Sequence, residues 1–419
     1  MAKVRRIREH RRGPVAVAVV AVAAGVLAAC GAPPAGSVSL RSGGSVAGHR
    51  PPGSFYSVPA PLVPAPPGTL IRSGPVDAGG LRGGATAYRM IYHSESADGS
   101  DVAVSGLVVV PGGRPPTGGF PIASWAHGTT GLADQCAPSL DGPDSIPYLA
   151  PLLAHRMIVV ATDYQGLGTP GVSPYLVGQS EGQNLLDAAR AARTLVGPAA
   201  SDAVVVIGYS QGGQAALFAG QIAPSYAPEL FVAGVVAIGP EASIFELAPT
   251  RPGQATDPDA AFAAMALSSW ATTYGNLALS SVLTRSGLAR APVVASGCAD
   301  AVAAAYDTLP ASALFRPGWS ADPAVRADDA ANRPGQAPIL APVLVVQGTS
   351  DNLIPVRSTT RLVEDSLCRD QHDSVDYVTL GGASHTGALA RAVSPVVSWV
   401  SARLAGTPDT RGCTGAARS

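Results

Sequence analysis

The chain has 419 residues, enough for one large or two ordinary domains, and 47% hydrophobic against 14% charged residues gives it material for a substantial core. Its formal net charge is −1, and its basic residues cluster only at the extreme N-terminus. That balance excludes a nucleic-acid partner held by a basic face.

Lys3, Arg5, Arg6, Arg8, Arg11 and Arg12 form a positive leader, followed by the apolar run Val15–Ala29. The run falls short of the roughly 20 residues a membrane span needs and suits a signal peptide. It ends Leu27-Ala28-Ala29-Cys30-Gly31, a bacterial lipobox pattern in which Cys30 is lipidated and becomes the mature N-terminus. A diacylglyceryl cysteine carries enough acyl chain for stable anchoring. The expectation is an exported lipoprotein on the outer face of the cytoplasmic membrane, with partial secretion left open. Removing the leader leaves more acidic than basic residues. Residues 31–68, rich in Gly, Pro, Ser and Ala, read as a tether, with Phe55 and Tyr56 as candidates to dock on the body.

The alternation of elements begins with Ala85–Tyr92 and Val102–Val110, two strands joined by a turn-rich segment as a hairpin. Pro121–Trp125 and Met157–Ala161 are short continuous apolar runs, expected where a strand is buried on both faces. Residues 182–195 have helical periodicity. A strand at Ala203–Ile207, a helix from Gly213 and a strand at Phe231–Ile238 follow. Later come strands at Pro342–Val346 and Val375–Leu380 and helices at Arg361–Cys368 and Leu389–Leu404. The pattern predicts an α/β fold, a mostly parallel central sheet with helices on both faces and an antiparallel edge. It assigns 69–240 and 342–419 to the core. The Ala-rich stretch 241–341, far longer than a usual βα connection, reads as a helical cap insertion. Phe245, Leu247, Phe262, Met265, Leu267 and Trp270 are its candidates to line an acyl site or to pack the cap.

Four cysteines follow the leader: Cys136, Cys298, Cys368 and Cys413. An even count in an exported chain suggests two disulfides, with three pairings open. Cys368 and Cys413 bracket the last strand and helix, so joining them would staple the tail. That favours Cys136 with Cys298.

The sequence Gly208-Tyr209-Ser210-Gln211-Gly212 lies between the apolar strand and the following helix. A serine on so sharp a turn needs flanks without a Cβ, here Gly208 and Gly212, and presents its hydroxyl beyond the sheet. Such a hydroxyl is a poor nucleophile without a base. Among seven histidines, His385, in the small-residue loop Gly381–Gly387 after the last strand, is the candidate. His372, His93 and His155 have ordinary surface or turn explanations. Asp351, at the end of the preceding strand, is the carboxylate to orient His385, with Glu241 as competitor. The chain order Ser210, Asp351, His385 is that of α/β-hydrolases. For the oxyanion hole, the Gln211 N–H is one donor. The Thr129 N–H, in Trp125-Ala126-His127-Gly128-Thr129-Thr130-Gly131, is the other, with its hydroxyl as a further donor. His127 is read as a structural turn residue. No cluster has metal-ligand spacing, and no cofactor is expected.

Residues 54–405 resemble the secretory lipase family of α/β-hydrolases, which includes relatives of Candida antarctica lipase A and actinobacterial exported lipases. The resemblance is carried by Trp125–Gly131 with Cys136-Ala137-Pro138-Ser139, by Asp163-Tyr164-Gln165-Gly166-Leu167-Gly168, and by the Ser210, Asp351 and His385 segments. It implies a helical cap with a hydrophobic acyl tunnel and hydrolysis of carboxylic esters, including acylglycerols, through an acyl-enzyme. Fungal members carry Asp at the position matched to Thr129, a departure in this chain. The expected partners are a lipid or other acyl ester and, through Cys30, the membrane, with no obligate protein partner. A serine peptidase or acyltransferase on the same fold, or a non-catalytic envelope binding protein, are the alternatives. A peptidase would need a group to hold a peptide terminus, and no such motif is evident.

Overall fold

A computed structural model of the chain describes residues 54–78, 80–81, 83–245, 259–306, 308–408, 412–413 and the backbone of 417–418. The leader, Cys30 and Leu247 lie outside the described residues.

Among the described residues ten strands build one sheet: β1 (Leu70–Val76), β2 (Thr86–Glu95), β3 (Asp101–Val110), β4 (Phe120–Ala126), β5 (Ile158–Thr162), β6 (Ala200–Tyr209), β7 (Phe231–Ile238), β8 (Val343–Gly348), β9 (Val375–Leu380) and the two-residue β10 (Ala417–Arg418). Their spatial order is β1-β2-β3-β5-β4-β6-β7-β8-β9-β10. β1, β2 and β3 are antiparallel, β3 is antiparallel to β5, and every pair from β5 through β4 to β10 is parallel. The fold is the expected α/β architecture. The helices are α1 (Leu149–Ala154), α2 (Gly178–Val196), α3 (Gln211–Tyr226), α4 (Ala260–Thr273), α5 (Leu279–Val282), α6 (Arg285–Leu288), α7 (Ala291–Ser296), α8 (Ala299–Tyr306), α9 (Ala311–Leu314), α10 (Pro323–Ala331), α11 (Val356–Arg361), α12 (His385–Arg391) and α13 (Val393–Leu404).

Side chains of a strand alternate between faces, so β6 feeds two cores at once. Val204 and Val206 pack with Leu185, Ala188 and Leu217 of α2 and α3. Val205 and Ile207 pack with Leu149 and Leu152 of α1 and Val396 and Val400 of α13. Each such side chain, fully removed from water, contributes about 1.5–3 kcal/mol. Double burial is why these strands read as unbroken apolar runs.

Four boundaries differ from the sequence expectation. β1 (LIRSGPV) lacks clean alternation and contains Pro75; among the described residues it pairs only with β2, and an edge position tolerates a residue without an N–H. The Leu389–Leu404 helix is two helices, because Pro395 cannot donate to the preceding turn. The Arg361 helix begins at Val356 and continues as a π-helix to Asp370. Residues 54–68 are packed rather than free. Phe55 lies against Gly74, Tyr56 is buried with its hydroxyl 2.8 Å from Ser139 Oγ, and Gly68 donates to the His93 carbonyl.

Between β7 and β8 the described residues form seven short helices, α4 to α10. They share their own core: Met265, Leu267 and Trp270 are fully buried in it, and Phe245 and Phe262 are partly buried against it. Tyr175 and Val177, from the segment before α2, belong to the same cluster. No helix among the described residues is long and apolar enough to cross a membrane.

Candidate active site

In the sheet, β4 lies between β5 and β6, so the chain reverses its direction of travel there. The loops after β4 and β6 meet at this switch point, where open α/β sheets bind ligands. Ser210 sits there, between the end of β6 and the first residue of α3, with φ 58° and ψ −118°. A non-glycine residue held in this region costs on the order of 1–3 kcal/mol and persists only where its surroundings enforce it. They do so here. Ser210 N donates to Ile238 O at 2.9 Å, Gly213 N donates to Ser210 O at 2.9 Å, and Glu241 N donates to Ser210 O at 3.3 Å. A Cβ on Gly208 would collide with the Gly212 carbonyl, and one on Gly212 would collide with the Ala126 carbonyl. Both glycines are therefore required by crowding and not by their own φ.

His385 opens α12, whose N-cap Ser384 accepts from Gly387 N. Its Nδ1 donates to Asp351 Oδ2 at 2.7 Å. Asp351 is buried and also accepts from Leu353 N at 3.0 Å, Ile354 N at 2.8 Å and Gln347 Nε2 at 3.0 Å. Gln347 is fixed in turn by Thr359, which donates to its Oε1. A carboxylate so surrounded holds the imidazole with its proton on Nδ1 and its lone pair on Nε2. Nε2 is buried and has no hydrogen-bond partner, so the bond to Ser210 Oγ is not formed here. Apo sites commonly leave that bond open. The Tyr209 ring packs on His385 at 4.8 Å. A Cβ on Gly239 would stand 3.1 Å from His385 Cε1. Gly239 follows Ile238, which anchors the Ser210 amide, so serine and histidine flank the same end of β7. Glu241 Oε1 accepts from Ser243 N, and His385 takes Asp351 instead.

The loop after β4 rests on the serine turn through Gly212, and its own shape is fixed from behind. His127 is buried, with Nδ1 2.6 Å from Gly128 O and Nε2 3.3 Å from Asp163 O. Its ring lies on Tyr164, whose hydroxyl donates to His127 O at 3.0 Å. Burial pushes the imidazole pKa down, toward the neutral form. Both nitrogens face backbone carbonyls, the arrangement of a structural histidine. Asp163 accepts from Ser139 N at 2.8 Å and Ser105 Oγ at 2.6 Å, and also from Ser139 Oγ. The Asp163–Gly168 segment thus supports the loop from below. Thr129 Oγ1 is paired with Tyr175 Oη at 2.9 Å, so its hydroxyl is engaged by a neighbour. Gln211 begins α3, where helix N–H groups lack intrahelical acceptors. Its side chain donates to Glu181 Oε1 at 2.7 Å.

Tyr175 and Glu181 were not found from the sequence. Glu181 had a readable signal: it falls four and seven residues before Leu185 and Ala188, on the apolar stripe of α2.

Two disulfides are present, Cys136–Cys298 and Cys368–Cys413. The first joins α8's leading turn to the segment following the β4 loop. Ala299 N donates to Thr130 O at 2.8 Å, and Gly131 and Cys298 form an isolated β-bridge. The helical insertion is thereby tied to the loop that carries Thr129. Among the described residues no group of three or more His, Cys, Asp or Glu could hold a metal ion.

The family model described as secretory lipase matches residues 144–315 and 326–412. Lipase 10 of Candida albicans is 25% identical, covering 90% of this chain and 86% of its own length. The closed-state structure of Candida antarctica lipase A superposes with a TM-score of 0.74 at 20% identity, over 87% of this chain and 88% of that one. A rice cell wall degrading esterase, LipA from Xanthomonas oryzae, superposes with a TM-score of 0.67 at 22% identity, over 82% of this chain and 100% of that one.

Proposed function

From the premise that this chain belongs to the secretory lipase family and is a carboxylic ester hydrolase, we propose that Ser210, His385 and Asp351 carry the reaction on fatty-acyl esters such as acylglycerols. The observation that carries this reading is His385, bonded through Nδ1 to a buried carboxylate. Its Nε2 is left unpartnered, and its ring packs on Tyr209, the neighbour of the serine in the strained turn.

Ser210 Oγ attacks the acyl carbon while His385 Nε2 takes its proton. The tetrahedral oxyanion is held by the backbone N–H groups of Gln211 and Thr129. Collapse expels the alcohol, which receives the proton from His385, and leaves an acyl-enzyme. Water, deprotonated by His385, then releases the fatty acid. Asp351 stabilises the imidazolium throughout. The assigned donor is the Thr129 N–H, and the Thr129 hydroxyl, paired with Tyr175 Oη, adds a donor when Tyr175 gives its own proton to that pair.

The helical insertion, 241–341, is assigned as the cap over the 69–240 and 342–419 core. Its apolar residues are assigned the choice of acyl-chain length. The leader and Cys30 are assigned to export and to lipid anchoring at the cell envelope, which would keep the enzyme at a membrane face. The deciding experiment profiles the purified domain on esters from acetyl to stearoyl beside a peptide panel. Rising kcat/KM from butyryl to decanoyl esters, abolished by Ser210→Ala, is the expected result. Turnover confined to acetyl esters would reject the long-chain assignment, and turnover by folded Ser210→Ala would reject the nucleophile.

A further inference from the structure

Directly behind the serine turn lies an acid that the proposed mechanism does not use. Glu181 is 1% exposed, on the first turns of α2. Its Oε1 accepts from Gln211 Nε2 at 2.7 Å and from Leu176 N at 3.0 Å, while Oε2 is buried with no partner. Gln211, itself 4% exposed, is the residue after Ser210, and its backbone N–H is the donor assigned to the oxyanion. Its side chain is thus anchored to an acid on a different helix. Leu176 belongs to the segment that presents Tyr175 to Thr129. One carboxyl oxygen therefore holds both the side chain of Gln211, whose N–H is one assigned donor, and the backbone beside Tyr175, which pairs with Thr129 of the other.

We propose that Glu181 is a positioning residue for the oxyanion hole, fixing the Gln211 N–H through the Gln211 side chain. The inference rests on the reading of Ser210 and Gln211 given above. Glu181 does this as an uncharged acid. Burial pushes its pKa up to about 8, against the opposing hydrogen bonds from Gln211 and Leu176. The titratable groups facing it are phenols: Tyr164 and Tyr175 from the segment before α2, and Tyr274 from the end of α4. Beyond them, the charges of Glu241 and Asp328 act on Tyr175 and Tyr274 in turn. All three phenols have pKa values raised by burial, so they stay neutral through the range in which Glu181 loses its proton. Ionisation of Glu181 places a buried negative charge behind the developing oxyanion, and like charge in a low-dielectric site disfavours that transition state. The hydrogen bond to Gln211 fixes the aim of the donor, and loss of the Glu181 proton would then set an alkaline limit on turnover.

The test measures kcat and KM on a soluble butyryl ester from neutral to alkaline pH. Wild type should lose about tenfold in kcat through an ionisation near pH 8. Glu181→Gln keeps the acceptor for Gln211 and removes the ionisation; it should retain kcat at pH 7 within about threefold and show no such fall. Glu181→Ala should lower kcat about tenfold or more with KM nearly unchanged. Gln211→Ala, which keeps the backbone N–H and the acid, should reproduce that loss and decides the matter if Glu181→Ala does not fold. A wild type without the alkaline fall, a Glu181→Gln that retains it, or a Gln211→Ala with normal kcat would each overturn the proposal. Ser210→Ala, run in parallel, separates the two levels. If it is active, the underlying site assignment fails. If it is inactive while the Glu181 and Gln211 variants behave as wild type, only the positioning role fails.

Discussion

Gly212 packs so closely on the Ala126 carbonyl that a Cβ at position 212 has no room. The serine turn and the loop carrying Thr129 are therefore one mechanical unit. Gly212→Ala should push the loop away from Ser210. A displacement of about 1 Å at such a site costs on the order of a hundredfold. We expect that loss mainly in kcat, with a far-ultraviolet circular dichroism spectrum like that of wild type.

Asp351→Asn should reduce kcat by roughly a thousandfold to ten-thousandfold, because an amide facing His385 Nδ1 favours the wrong tautomer. Asp351 also accepts from Leu353 N and Ile354 N. A modest drop in melting temperature should therefore accompany the loss. Activity within tenfold of wild type would show that another group orients His385.

The Cys136–Cys298 disulfide closes a sequence separation of 162 residues and fastens the helical insertion to the β4 loop. Replacing both cysteines by alanine should cost about 2–5 kcal/mol in chemical denaturation. It should also lower kcat, because Ala299 and Thr130 lose their clamp. Removing Cys368–Cys413, whose sequence separation is 45, should affect stability and leave kcat near wild type.

Stability should fall as pH rises through the window set by Glu181. Its pKa is 4.5 when free and about 8 in the fold, so between those values the folded chain holds a proton that the unfolded chain has lost. The stabilisation conferred by the neutral acid is complete below the lower value and is lost by the upper one. Glu181→Gln should therefore melt higher than wild type at pH 9 by more than it does at pH 4. Equal differences at the two pH values would show that Glu181 does not titrate in this window.

Cys30→Ser should move the protein from the membrane fraction to the soluble fraction while leaving kcat/KM unaltered. Retention on the membrane after leader cleavage would assign anchoring to another part of the chain.

The sequence by itself determined whatever depends on neighbours in the chain. Unbroken apolar runs marked the strands buried between two helical layers, and the Gly208–Gly212 spacing marked the turn that puts Ser210 between β6 and α3. It also brought out the candidates Asp351 and His385, each on a loop after a strand. Local sterics and periodicity carry that information without knowledge of the fold. What only the tertiary structure decided was which distant groups meet. Asp351 faces His385 at 2.7 Å while Glu241 caps its own turn, and the four cysteines settle into one of three pairings. Tyr175 takes up the Thr129 hydroxyl, and Glu181 reaches Gln211 from another helix. The docking of Phe55 and Tyr56 was legible in the sequence, whereas the edge strand β1 escaped notice because its partner β2 is read from pairing across the sheet rather than from a pattern along the chain. Such contacts depend on how the layers close over one another, and closure brings together residues that no local pattern relates.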